Sequence, residues 1–128
     1  MNLLIDSHVF VWMHETPNRL SAKSAVEIVN PANSIFLSIA SVWELQIKIK
    51  LGKFSFSDKL EKVIAIQQQT NDVELLPIQL SHVIYLENLQ LHHKDPFDRL
   101  LISQALAENL TLVSSDPQFP AYGVNLLW

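Results

Sequence analysis

The sequence predicts an α/β fold, a three-layer α/β/α sandwich built on a central, mostly parallel sheet. Three observations carry that reading. Five short apolar runs with strand character occur at positions 3–5, 35–39, 73–78, 111–113 and 124–127. Most are separated by longer stretches whose apolar residues recur at helical spacing. The runs are apolar almost throughout rather than alternating, as parallel strands buried on both faces are. Sites in such folds form at the carboxyl ends of the strands.

The elements follow in order. The first run ends at Asp6, which can cap a helix starting near Ser7. After the second run, positions 45–51 alternate apolar and polar with period two, which locally suggests a strand. Ser41-Val42-Trp43-Glu44 has the form of a capping box, however, and Gly52 suits a helix end, so the sequence predicts a helix over 41–51. Asp95-Pro96 reads as an N-cap followed by proline at the first helical position. The run 111–113 leads to Ser114, Ser115 and Asp116 ahead of Pro117, where an Asx turn fits.

Composition narrows the function. With 128 residues, 48% of them apolar, and no repeat, low-complexity tract or dividing linker, the reading is one domain over 1–128 with a single well-supplied core. The absence of cysteine excludes disulfides, thiolate zinc sites and cysteine nucleophiles. Two glycines, Gly52 and Gly123, cannot build a phosphate-cradling loop or a dinucleotide fingerprint. No apolar run approaches the roughly 20 residues that span a bilayer, and no basic segment precedes the short apolar start. A soluble, cytoplasmic protein with no membrane contact is the expectation. Nine basic against thirteen acidic residues, a net charge of −4, argue against a broad basic face, so a polyanionic substrate needs positive charge from elsewhere.

Four acids are the candidate site. Asp6 and Asp116 each follow a strand, and Glu44 and Asp98 each fall in the first turn of a helix that opens at the same sheet edge. Each has a purely structural explanation: a cap for Asp6, the capping-box partner of Ser41 for Glu44, an N3 position behind Asp95 for Asp98, an Asx turn for Asp116. Asp98 is explained least well, because Ile102 and Ala105 place it at the head of a packed stripe. Carboxylates gathered at one point raise one another's pKa unless a cation joins them. Mg²⁺ is the natural partner, since it takes oxygen ligands, keeps several waters and bridges to phosphate. The five histidines do not form a zinc pattern such as H-E-x-x-H, and Trp12, Trp43 and Trp128 are expected in the core rather than stacked on bases. The chemistry implied is phosphoryl hydrolysis.

These residues resemble the PIN-domain family, and within it the VapC-like ribonuclease toxins of toxin-antitoxin systems. Leu3-Leu4-Ile5-Asp6-Ser7-His8 is similar to the family's opening block, with serine where threonine is commoner. The stretch from Ser38 to Glu44, with Lys48 and Gly52, resembles the second block, and His93-Lys94-Asp95-Pro96-Phe97-Asp98-Arg99 resembles the third. Leu112-Val113-Ser114-Ser115-Asp116 resembles the last. The resemblance implies an Mg²⁺- or Mn²⁺-dependent endoribonuclease whose acidic core is Asp6, Glu44, Asp98 and Asp116. Asp6 and Asp98 would be the main metal ligands, while Glu44 and Asp116 act through water or a second ion. Ser114 would support the ligands, and Arg99, Lys48 and Lys94 would contact phosphate. Its implied partners are an RNA substrate, a cognate antitoxin and a second copy of the chain in a homodimer. The alternatives are a PIN-type nuclease of RNA maturation or quality control, or an inactive interaction module. A phospho-acceptor domain is disfavoured, because Ser7 and His8 rather than a second acid follow Asp6.

Overall fold

A computed structural model describes residues 1–128. Five strands, β1 (Asn2–Ile5), β2 (Ser34–Ser38), β3 (Val73–Leu76), β4 (Thr111–Val113) and β5 (Leu126–Leu127), form one sheet in the order β3-β2-β1-β4-β5. Every pairing is parallel. The expectation of a mostly parallel sheet is thus met in full, and the observed strands fall within or beside the expected runs.

Register sorts the strand residues into two faces. Leu3 and Ile5 align with Ile35, Leu37 and Val113, and these side chains enter one core with α1 (Ser7–Glu15), α2 (Ala22–Val29), α3 (Ile39–Lys50) and α4 (Leu60–Thr70). Leu4 aligns with Leu112, and both enter a second core against α6 (Pro96–Ala107), on which α5 (Leu80–Tyr85) packs. Helices cover both faces, which makes this the three-layer α/β/α fold that the apolar strands require. No helix is long and apolar enough to cross a membrane.

The helix expected over 41–51 starts two residues earlier. Ser38, not Ser41, is its cap: the Ser38 hydroxyl accepts a bond from the Ala40 amide at 3.0 Å. The Ser41–Glu44 capping box is therefore not formed, and Glu44 lies in the second turn rather than the first. Ser41 is instead buried as a small residue on the packed face. The C-terminal end is as expected. Gly52 takes φ +71, and bonds from Gly52 and Lys53 amides to Ile49 and Lys48 carbonyls close a Schellman motif.

Buried polar side chains are all paired. Ser38 donates to Gln104 at 2.5 Å, Ser103 donates to the His82 carbonyl at 2.5 Å, and His82 Nε2 meets Glu108 at 2.8 Å. This network ties α5 to α6 and α6 to the carboxyl end of β2. Unpaired, such groups would each cost about 1–3 kcal/mol.

Candidate active site

The carboxyl edge of the sheet brings the four acids together. Asp6 continues β1: its amide donates to the Val113 carbonyl at 3.2 Å, and its Oδ1 accepts from the Val9 amide at 2.8 Å as the cap of α1. The structural and functional readings of Asp6 thus describe one residue, since a cap at this edge is also a carboxylate at the site. Burial pushes its pKa up, Ser114 and the Val9 amide pull it down, and the charges of His8 and Asp116 act on it with opposite signs.

Glu44 is buried on the inner face of α3. Its Oε1 accepts a bond from the Ser7 hydroxyl at 2.7 Å, and its Oε2 faces Lys48 Nζ at 3.5 Å. The hydroxyl noted at position 7 therefore holds a site carboxylate across the α1–α3 contact.

Asp98 is the third residue of α6, behind the Asp95 cap, whose Oδ1 accepts from Phe97 and Asp98 amides at 3.0 Å each. Its carboxyl is pushed up to about 7, first by burial and then by the charges of Asp95, Glu44 and Asp116. Asp116 follows β4 in the expected Asx turn, with Oδ1 accepting from the Gln118 amide at 2.9 Å and its own amide bonded to Ser114 Oγ at 3.1 Å. Its charge nevertheless acts on both Asp6 and Asp98. All four acids are thus linked through shared charge.

Three features differ from the sequence reading. His93, to which the sequence assigns no contact in the site, is half-buried in the loop before α6: its Nε2 lies 3.4 Å from Asp98 Oδ2 and its Nδ1 lies 2.5 Å from the Tyr122 hydroxyl. No spacing signal marks Tyr122. Arg99 does not face outward as a phosphate contact, because its guanidinium donates to the Leu89 and Gln90 carbonyls and to Tyr122. Trp43 is not in the core: it is 59% exposed, with its ring edge-on to Phe97 at 5.2 Å. Trp12 and Trp128 are half-buried against each other at 5.6 Å, and Lys94 is exposed.

The donor set is oxygen-only, which suits a hard divalent cation rather than zinc. No three His, Asp or Glu side chains are grouped so as to hold a metal ion together. Asp6 and Asp98 are the two acids whose carboxyls are raised, in both cases first by burial and then by neighbouring acids.

With this geometry in place, sequence comparison assigns the class. The profile of the PIN domain matches residues 3–125. The chain belongs to the PIN-domain family, whose members are nucleases that generally use divalent metal ions. No curated protein matches it by sequence. Among solved structures, its fold is similar to that in VapBC2 from Rickettsia felis bound to a DNA fragment from its promoter. The TM-score is 0.74 at 19% identity, covering 98% of this chain and 97% of that one. VapBC-1 from nontypeable Haemophilus influenzae is similar with a TM-score of 0.66 at 19% identity, covering 98% and 96%. VapBC-5 from Mycobacterium tuberculosis, a member of the VapBC family of toxin-antitoxin systems, gives 0.58 at 16% identity, covering 94% and 89%.

Proposed function

We propose that this chain is the toxin of a toxin-antitoxin system, an endoribonuclease that hydrolyses RNA phosphodiester bonds with Mg²⁺ or Mn²⁺. The carrying observation is the convergence of Asp6, Glu44, Asp98 and Asp116 at one sheet edge, where the charges of Glu44 and Asp116, with that of the Asp95 cap, act on Asp98. Membership of a nuclease family and the likeness of the fold to VapBC structures support the reading.

Asp6 and Asp98 are the direct ligands in this reading. A bound Mg²⁺ or Mn²⁺ supplies the charge that lets water attack phosphorus and the leaving oxygen depart. Asp6 is held in place as the cap of α1, so its carboxyl cannot swing away without losing the Val9 bond. Ser7 and Lys48 hold Glu44 toward the site, where it can bind ordered water. Asp116 takes the same outer role from the β4 side. His93 orients Asp98 by its Nε2 contact, with Tyr122 holding the ring from Nδ1.

Two partners follow. An antitoxin can silence the site by placing an arginine on the carboxylates, where bidentate hydrogen bonds replace the cation. A second copy of the chain is favoured by the exposed apolar residues Ile78, Leu80, Val83, Ile84 and Leu91 on and beside α5, of which Leu80 is 76% exposed. Leu80→Glu with Ile84→Glu should shift the chain from dimer to monomer by light scattering.

The decisive assay incubates the purified chain with a single-stranded RNA in Mg²⁺ or in chelator. Cleavage in Mg²⁺, its loss in chelator, and its loss in folded Asp6→Asn and Asp98→Asn variants are expected. Undiminished cleavage by either variant would remove the proposed site, and no cleavage by the wild-type chain in Mg²⁺ or Mn²⁺ would remove the activity.

A further inference from the structure

The carboxylate cluster adjoins a cavity of about 570 Å³ between α1, the end of α3 and the loop that follows Gly52. Ser7 and Lys48 form part of its lining and are the same two side chains that hold Glu44, so cavity and cluster share a wall. The rest of its polar lining holds two further cations, Arg19 and Lys53, with the neutral side chains of His8, Thr16 and Ser55 and one acid, Glu15. Neither Arg19 nor Lys53 is paired with a carboxylate, in contrast to Lys48. The acid on its rim, Glu15, is turned to the Ser57 amide at 3.4 Å. In a chain of net charge −4, this local excess of free positive charge beside an acidic cluster is a departure from the average surface.

The cavity also offers a flat surface. The Arg19 guanidinium lies 5.9 Å from the centroid of the Trp12 ring, which is braced from another side by Trp128. A guanidinium plane or an indole accepts a stacked base of any identity. The Schellman turn at Gly52 fixes the backbone of Lys53, whose side chain lines the cavity.

We propose that this cavity binds the nucleotide of a single-stranded RNA next to the phosphodiester held at the carboxylates, with its base against the Arg19–Trp12 pair and its phosphate between Lys48 and Lys53. This inference rests on the reading of the cluster as an RNA-hydrolysing site. It resolves a difficulty raised by composition, since the positive charge that a polyanion requires is concentrated in one place instead of spread over a face.

The test measures binding of a fluorescent eight-nucleotide single-stranded RNA to the Asp98→Asn chain by anisotropy across 50–200 mM salt. Arg19→Ala and Lys53→Ala, both at exposed positions, are compared with Lys62→Ala on α4, which lies outside the cavity lining. A loss of about 3- to 10-fold in affinity is expected for the first two and none for the third. Lys53→Ala should also reduce the slope of log affinity against log salt by about 0.7, the value for one phosphate contact on a single strand. In the otherwise wild-type chain, the same changes should raise KM for RNA cleavage. Unchanged RNA affinity in both cavity variants would overturn the proposal while leaving the nuclease reading intact if the wild-type chain cleaves RNA. Loss of antitoxin binding without loss of RNA binding would assign the cavity to the protein partner and also overturn it. A wild-type chain that neither binds nor cleaves RNA would overturn both.

Discussion

Glu44 and Asp98 face the same site from two helices, yet their surroundings differ. Glu44 has a partner for each oxygen, Ser7 at 2.7 Å and Lys48 at 3.5 Å, and is buried. Asp98 has three acids acting on it and only the longer His93 contact in return, and its carboxyl rises to about 7. The α3 side is thus neutralised by the chain itself, and the α6 side is left for something else to neutralise. In the proposed reading, such a site is half-assembled before a cation arrives, with its unmet charge concentrated around Asp98.

The largest way to break this asymmetry is at Asp98. Asp98→Asn should lower RNA cleavage by at least about 100-fold, as removal of a metal ligand does, while the metal-free protein melts at the same or a higher temperature because a repelling charge has gone. Loss of the folded state would instead show that the carboxyl is needed by α6 as a helix-terminal charge.

Next is pH. Between its ordinary value of 3.8 and about 7, the folded chain keeps Asp98 protonated while the unfolded chain has released that proton. Stability therefore falls as pH rises through this window, and the full penalty is present above it. Melting of the metal-free protein should accordingly rise on acidification from pH 8 to pH 5, and Asp98→Asn should flatten the curve. A wild-type curve that is flat, or that falls on acidification, would contradict the raised Asp98 carboxyl that burial and the neighbouring acids produce. Millimolar Mg²⁺ should raise the melting temperature at pH 8, by an amount equivalent to about 2.7 kcal/mol when the ion is at 100 times its Kd.

Smaller effects sharpen the other half. Lys48→Met leaves Glu44 with Ser7 alone and should cost about 0.5–1 kcal/mol in chemical denaturation, in keeping with a partly exposed i,i+4 pair. Tyr122→Phe leaves His93 Nδ1 without its hydroxyl partner and should weaken Mn²⁺ binding only a few-fold, measured by calorimetry. An unchanged Mn²⁺ affinity would mean that His93 does not orient Asp98.

Much of this was legible from the chain alone. Apolar runs too uniform to alternate required a sheet covered on both sides, and a parallel sheet sends every strand's end, with Asp6 and Asp116, to one edge. Asp95-Pro96 marked the start of α6 and so the height of Asp98, because an N-cap is a local device read from adjacent residues. Local patterns were less reliable where two caps compete. Ser38 and Ser41 both offer hydroxyls, and only the end of β2 and the bond from Ser38 to buried Gln104 decided that the helix begins at Ile39.

What tertiary structure alone decided are the contacts between residues far apart in sequence: Ser7 with Glu44, Tyr122 with His93, and the cavity that gathers Arg19 and Lys53 beside them. No periodicity encodes these, because they depend on how two helices cross and where a loop returns. The charge balance of the site belongs to the same class. Composition supplies the four acids, but which one keeps a cation of its own and which one waits for one from solution is set by burial and distance, and those exist only once the chain has folded.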